Sequence, residues 1–180
     1  MAVALETERL ILRPWAGEDA AALFEMCRDA ETMRYVGDGR PWAGVERARE
    51  WLARKAAASA GREFGKWAVV EKGSGRLVGS CGFDPPSETM PEVELGYLFA
   101  RDSWGRGYAT EAAGACMRFA FDALRLPRVV ARVSPANTPS RRVLEKLGFD
   151  FEGLRRFEGT DEPDAFYVAR RRDPQTPYAD

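Results

Sequence analysis

Apolar residues recur with two different periods along the chain, and these periods predict a mixture of helices and strands. Helical spacing covers Gly17 to about Cys27, Val45–Ser59, Ala109–Leu124 and Pro139–Leu147, with Gly148 closing the last helix. Strand-like runs cover Leu10–Leu12, Trp67–Val70, Leu77–Cys81, Glu92–Ala100, Arg128–Val133, Phe149–Phe151 and Phe166–Val168. The segment 29–44 contains Gly37, Gly39 and Pro41 and is predicted to be a loop.

The order of these elements predicts the fold class. The tetrapeptide Lys72-Gly73-Ser74-Gly75 lies between two strand-like runs and is typical of an antiparallel hairpin. Helices combined with hairpins predict an α/β (α+β) fold, a mixed and mostly antiparallel sheet with helices on both faces. The chain has no internal repeat and no linker, so we expect one domain over residues 6–172 and a loose tail at 173–180.

Composition narrows the functional classes. The chain has 180 residues, with 27 Lys+Arg against 28 Asp+Glu, and this balance argues against a nucleic-acid partner. Histidine is absent, which removes Ser–His–Asp and Cys–His nucleophile systems and His-containing zinc sites. Cys27, Cys81 and Cys116 are widely spaced, so neither a disulfide framework nor a thiolate metal site is expected.

The apolar runs are short. The longest, at 95–100 and 112–117, span six residues, whereas a membrane span needs about 20. Glu6 and Glu8 stand where a signal peptide would carry basic residues. We therefore expect a soluble protein of the reducing cytoplasm, with no membrane partner.

The segment 104–110, Trp-Gly-Arg-Gly-Tyr-Ala-Thr, is the most informative part of the chain. Two glycines before a helix allow successive amides to converge on a phosphate or pyrophosphate, and Arg106 would add a contact at the rim. A Walker-A loop is excluded because no Lys-Ser/Thr pair follows. A dinucleotide fingerprint fails because Thr110 replaces its third glycine and the next strand ends without an acidic residue. A plain turn that starts a helix remains an alternative.

Four further motifs surround this loop in a fixed order. They are Glu8-Arg9-Leu10-Ile11-Leu12-Arg13-Pro14, Glu94-Leu95-Gly96-Tyr97, Asn137-Thr138-Pro139-Ser140 and Glu145-Lys146-Leu147-Gly148-Phe149. Together with the loop, they resemble the GNAT superfamily of acetyl-CoA-dependent N-acetyltransferases, and within it the RimJ/RimL-like branch. The resemblance runs from about Glu6 to Arg170. In place of the polar residue that opens the family's phosphate motif, this chain has Trp104.

The resemblance implies where the cofactor binds. Backbone amides of the glycine loop would cradle the coenzyme A pyrophosphate, and these belong to Gly105, Arg106, Gly107, Tyr108, Ala109 and Thr110. In this family the strand at 93–100 splays from the strand at 128–133, and the pantetheine arm lies in the gap. A free amide of Leu98 or Phe99 would then point at the thioester carbonyl and stabilise the oxyanion.

The resemblance also implies which residues catalyse the reaction. Glu94 is the candidate general base, acting through a water, although a solvated residue or an ion pair is the alternative. Many family members place a tyrosine on the last short helix to protonate the leaving thiolate. Since this helix has none, Ser140 or a water is the candidate acid. Asn137 is expected to contact the pantetheine, or else to cap the helix.

The resulting expectation is an acetyl-CoA:amine N-acetyltransferase that works by direct attack in a ternary complex. The acceptor, a peptide or small-molecule amine, is not encoded, and neither is the oligomeric state, although dimers are common in this branch. A non-catalytic acyl-CoA-binding module is the alternative. Tyr35, Trp42 and Phe83 fall in or beside loops that wall the acceptor site in this family.

Overall fold

The computed structural model describes residues 5–157 and 162–171, and a single sheet organises this part of the chain. The predicted tail at 173–180 lies outside the described residues. The eight described strands are β1 (Leu5–Glu6), β2 (Leu10–Arg13), β3 (Lys66–Glu71), β4 (Leu77–Asp84), β5 (Glu94–Phe99), β6 (Arg128–Val133), β7 (Asp150–Arg155) and β8 (Asp164–Arg170). The five described α-helices are α1 (Ala20–Cys27), α2 (Ala30–Met33), α3 (Val45–Ser59), α4 (Tyr108–Arg118) and α5 (Thr138–Lys146).

The strand order is β1-β2-β3-β4-β5-β6-β8-β7. Every neighbouring pair is antiparallel except β5 and β6, which are parallel. The mixed, mostly antiparallel sheet is therefore confirmed, and so is the hairpin between β3 and β4. Parallel strands need a long crossover connection, and here the connection between β5 and β6 contains α4.

Helices cover both faces of the sheet, as predicted. On one face α4 and α5 pack over the strands through small and apolar side chains, including Ala112, Cys116 and Leu144. On the other face α1 and α3 form a second cluster, which Leu98 of β5 joins from the sheet. Successive residues of β5 thus face different helical layers: 95, 97 and 99 face α4 and α5, and 94, 96 and 98 face the opposite side.

The long helices agree closely with the pattern, whereas strands β4, β7 and β8 extend two to four residues beyond their predicted ends. Helix α3 begins and ends at the predicted residues, and α4 continues as a π-helical turn over Phe119–Ala123. The segment 29–44 is not entirely a loop, because α2 forms there around an Asp29 side chain that accepts from the Thr32 amide. Strand β1 has only two residues and no pattern of its own. None of the helices in the described ranges has the length and apolarity that a bilayer crossing requires.

Candidate active site

Strands β5 and β6 pair at one position and separate beyond it. Glu94 pairs with Val130, and the Val130 amide donates to the carbonyl of Val93 at 3.0 Å. No further β5–β6 pairing follows in the described ranges, so the two strands diverge towards their carboxyl ends. This confirms the predicted splay and opens a cleft between them, which we call the β5–β6 cleft.

The ladder between β4 and β5 determines which β5 amides face the cleft. The Ala100 amide donates to the carbonyl of Val78 at 3.0 Å. Hydrogen-bonded pairs recur at every second residue of an antiparallel ladder, and the next one joins Leu98 to Ser80. The prediction that Leu98 donates its amide is therefore wrong, because this amide points at β4. The Phe99 amide points into the cleft.

Trp104 connects the glycine loop to the end of β5. Its indole Nε1 donates to the carbonyl of Phe99 at 2.8 Å, while about half of the side chain remains exposed. This hydrogen bond satisfies the Phe99 carbonyl at the mouth of the cleft. It also gives a physical role to the tryptophan that replaces the polar residue of the family's motif.

The glycine loop presents its backbone to solvent beside the cleft. Gly105 and Gly107 have φ angles of 72° and 79°, in the left-handed region that glycine adopts without steric cost. The first hydrogen bond of α4 runs from the Glu111 amide to the Gly107 carbonyl at 3.0 Å. The amides of residues 108–110 consequently have no acceptor within the helix. A Cβ added at Gly105 would meet no atom within 4 Å, so the space over the loop is open.

Arg9 of the N-terminal segment binds the backbone of this loop and the first turn of α4. Its guanidinium donates to the Arg106 carbonyl at 2.9 Å and to the Glu111 carboxylate at 2.7 Å. Glu111 also accepts from the Thr7 hydroxyl at 2.6 Å. Burial opposes ionisation of Glu111, but the hydrogen bonds from Thr7 and Arg9 outweigh it and lower its pKa. Glu111 therefore fastens the N-terminal segment to the first turn of α4.

Arg106 is held by the β3–β4 hairpin rather than directed over the loop. Its guanidinium donates to Glu71 at 2.8 Å and is 46% exposed. The Tyr108 hydroxyl donates to the same carboxylate. Hydrogen bonds from Ser74 and Tyr108 lower the pKa of Glu71 to about 2. The predicted phosphate contact of Arg106 stays a prediction.

Glu94 lies where the two strands part, on the face away from α4. Both of its carboxylate oxygens accept from Arg132 of β6, at 3.0 and 3.1 Å. Glu94 therefore forms the ion pair that was expected as its alternative role. Its role as a base stays a prediction. Glu92 has a similar environment, paired with Arg128, and the two glutamate side chains are 16% and 15% exposed.

Further charged groups surround Glu94 on this face. Asp84 pairs with Lys55 and with Lys66, the second at 3.2 Å. A Cβ at Gly96 would lie 2.3 Å from the Lys66 Nζ, so a larger residue there would displace that ammonium from its position over β5. Burial raises the pKa of Asp164; the positive Arg132 opposes this and the negative Glu94 adds to it. A polar floor formed by these side chains lies beside the cleft.

Ser140 and Asn137 lie at the start of α5, across the cleft from β5. The Asn137 side chain accepts from the Ser140 amide at 3.3 Å, so it caps the helix. The Tyr97 hydroxyl oxygen lies 2.9 Å from the Ser140 Oγ and 3.0 Å from the Ser140 carbonyl oxygen. Burial raises the pKa of the Tyr97 hydroxyl, which therefore remains protonated.

The three aromatic candidates for the acceptor wall have different positions. The Tyr35 hydroxyl donates to the carbonyl of Ala136 at 3.4 Å, so it reaches the loop that leads into α5. Trp42 is partly buried in the cluster around α1 and α3. Phe83 is 1% exposed and packs in the core against Trp67, so it cannot line a binding site.

Three contacts of the site have no local sequence signal. Arg9 lies 102 positions from Glu111, Arg132 lies 38 from Glu94, and Tyr97 lies 43 from Ser140. Each contact depends on strand order rather than on spacing. Only the motif Glu94-Leu95-Gly96-Tyr97, which contains a tyrosine beside the splay, offered a signal for Tyr97.

A mixed sheet that splits between two parallel strands, with a glycine loop and a helix N-terminus at the split, defines the GNAT class of acetyltransferases. Residues 9–150 match the model of the acetyltransferase (GNAT) domain, and the chain belongs to this family. It is accordingly an acyltransferase of the N-acetyltransferase type, as the motifs predicted.

Relatives and solved structures agree with this assignment. An uncharacterized N-acetyltransferase of Bacillus licheniformis, p20, is 34% identical over 152 residues, which are 84% of this chain and 85% of that protein. An acetyltransferase of Agrobacterium tumefaciens is 30% identical with a TM-score of 0.80, covering 94% of this chain and 95% of the other. RimJ of Mycobacterium smegmatis, solved with a coenzyme A disulfide, shares the fold at 24% identity with a TM-score of 0.75 over 89% of this chain and 81% of the other.

Proposed function

We propose that this protein transfers the acetyl group of acetyl-CoA to a primary amine by direct attack in a ternary complex. The observation that carries the proposal is the β5–β6 cleft with an open glycine loop at its mouth. In this arrangement a phosphate-binding backbone lies beside a strand that offers a cleft-facing amide. Three unpaired, buried thiols suit a reducing compartment, and we place the enzyme in the cytoplasm.

The residues present at the loop fit a pyrophosphate. The unpaired amides of residues 108–110 and the partial positive charge of the α4 N-terminus favour an anion. Gly105 leaves the approach to these amides open. Arg9 keeps the loop in place by donating to the Arg106 carbonyl. Asn137, whose oxygen caps α5, retains its amide nitrogen as a donor towards the pantetheine arm.

The cleft-facing amide of Phe99 is the candidate oxyanion donor. Acetyl-CoA supplies an activated thioester when it is bound. The Trp104 hydrogen bond fixes the end of β5, so the Phe99 amide is oriented before the reaction begins. Removing one such preorganised donor typically costs about 2.7–4 kcal/mol of transition-state stabilisation.

Glu94 is the proposed base, and it acts through a water. Each carboxylate oxygen can accept more than one hydrogen bond, so the pair with Arg132 leaves Glu94 able to accept from a water as well. Arg132 fixes the carboxylate at the point where the strands part. On the opposite face, Ser140 is the proposed donor to the departing sulfur. A protein N-terminus, an aminoglycoside-like drug, a polyamine and an amino-acid-like metabolite are the candidate acceptors.

A matched pair of variants tests this function. Glu94→Gln should lower kcat by about 100-fold or more, the usual range for a general base, and should leave acetyl-CoA affinity unchanged. Glu92→Gln is the control, because Glu92 has the same exposure and a similar arginine pair. Thiol release from acetyl-CoA is measured with N-terminal peptides, spermidine, an aminoglycoside and amino acids. Equal rates for both variants would reduce Glu94 to an ion-pair role, and binding without release in the wild type would favour the non-catalytic module.

A further inference from the structure

Two side-chain contacts cross the β5–β6 cleft, one on each face of the sheet. On the face of α1 and α3, Glu94 of β5 binds Arg132 of β6. On the face of α4 and α5, Tyr97 of β5 binds Ser140 of α5. Because neighbouring β5 residues point to opposite faces, the two contacts lie on either side of the space between the strands.

The Tyr97 hydroxyl has one proton and two possible acceptors on Ser140, the Oγ at 2.9 Å and the carbonyl oxygen at 3.0 Å. The Ser140 amide is directed to the Asn137 side chain, and the Tyr97 hydroxyl lies within hydrogen-bond distance of both oxygens of Ser140. A hydroxyl group carries one proton and accepts through two lone pairs. When Tyr97 donates to the Ser140 Oγ, the Ser140 proton has no acceptor within the pair and is free to point elsewhere.

We propose that Tyr97 is a positioning residue for the leaving-group side of the reaction: its hydroxyl donates to the Ser140 Oγ and thereby holds the Ser140 O–H towards the cleft. The proposal rests on the proposed function, in which Ser140 donates to the departing sulfur. Tyrosine is absent from α5 in this chain. Strand β5 supplies the phenol instead, through Tyr97.

The group transfer is balanced without a net change in this pair. The bond from the carbonyl carbon to sulfur breaks, and its electron pair goes to sulfur, while a bond from the amine nitrogen to the same carbon forms. The amine releases one proton to Glu94 through water, and the thiolate takes up one proton from solvent, while Ser140 keeps its own. Ser140 stabilises the negative sulfur by hydrogen bonding, and Tyr97 polarises the Ser140 hydroxyl in the same direction.

The test uses Tyr97→Phe, Ser140→Ala and the double variant. Tyr167→Phe is the matched control, because Tyr167 is buried on the same face and its hydroxyl binds Arg141 instead. The first readout is the pKa of the thiol of bound coenzyme A, which is measured from the absorbance of the thiolate as a function of pH. We expect it to be higher by about one pH unit in both single variants, as for the loss of one hydrogen bond to a charged group. The double variant should equal Ser140→Ala, and the control should equal the wild type.

The second readout is turnover. Tyr97→Phe should lower kcat roughly tenfold with KM for acetyl-CoA unchanged, and it should have no effect in the Ser140→Ala background. If the effects of Tyr97→Phe and Ser140→Ala on kcat multiplied in the double variant, the positioning role would be overturned. The same holds if Tyr97→Phe left the thiol pKa unchanged in an enzyme that still turns over. Neither result would overturn the proposed function. A wild type that releases no thiol with any of the four acceptor classes would overturn the proposed function and the positioning role with it.

Discussion

Replacing Gly107 with alanine perturbs the glycine loop at its most constrained residue. Gly107 has a φ of 79° and is the residue before the first turn of α4. An added Cβ would lie 3.4 Å from the Arg9 guanidinium, which is tight but tolerable. The main cost is therefore conformational, and a left-handed non-glycine residue costs about 1–2 kcal/mol.

The same structure provides a control for this cost. Gly148, at the C-terminal end of α5, has a φ of 78°, and a Cβ there would meet nothing within 4 Å. Gly148→Ala should therefore lose a similar amount of unfolding free energy, which corresponds to a Tm lower by about 2–8 °C for a chain of this size. Unlike Gly107, Gly148 lies outside the glycine loop that is proposed to bind the pyrophosphate.

The two variants should differ in ligand binding. If the loop relaxes to relieve the alanine at position 107, acetyl-CoA must restore the left-handed conformation and binds about 5- to 30-fold more weakly, the equivalent of about 1–2 kcal/mol. Isothermal titration calorimetry measures this ratio directly, and Gly148→Ala should bind like the wild type. Equal affinities for Gly107→Ala and Gly148→Ala would refute the view that this loop holds the cofactor.

Three other predictions concern Arg9, Glu111 and the buried cysteines. Arg9→Gln should weaken acetyl-CoA binding several-fold, because the loop loses its contact at the Arg106 carbonyl. Arg28→Gln, which breaks an exposed pair within a helix, should leave the affinity unchanged. Titration calorimetry measures both dissociation constants, and equal values would contradict the role of Arg9. Glu111→Gln should destabilise the protein above about pH 4.3, the unfolded-state value. Because the folded pKa of Glu111 is lowered, the difference from wild type should shrink as pH falls through that pKa in urea unfolding, and a difference that persists at low pH would contradict the clamp. Burial raises the pKa of Cys27 to about 12, and all three cysteines are buried, so a thiol reagent should label none of them in the native protein and all three after unfolding; rapid native labelling would contradict this burial.

Periodicity predicted the long elements because their apolar faces are continuous. Helix α3 has both of its predicted ends, and the hairpin glycines predicted the β3–β4 pair. The short helix α2 was missed because a single Asp29 side chain initiates it. The family resemblance placed Phe83 beside a loop that walls the acceptor site, but Phe83 points into the core, since alternation along β4 decides its direction.

The contacts of the site were harder to predict than its position. The glycine loop follows from a motif that is local in sequence, and the splay was implied by the family resemblance. The choice between Leu98 and Phe99 depends on the phase of the β4–β5 ladder, which no motif encodes. The partners of Glu94 and Ser140 come from other elements, 38 and 43 positions away. Local sequence therefore indicates which residues could catalyse the reaction, and the sheet order shows which partners orient their side chains.

The most direct test of the central claim is thermal unfolding with acetyl-CoA, with NADH and ATP as controls. A ligand present at about 100 times its Kd stabilises a fold by roughly 2.7 kcal/mol, or about 5–10 °C in Tm for this chain. We expect this shift with acetyl-CoA and not with NADH or ATP. An unchanged Tm with acetyl-CoA, or an equal shift with NADH, would contradict a cofactor site built from the β5–β6 cleft and its glycine loop.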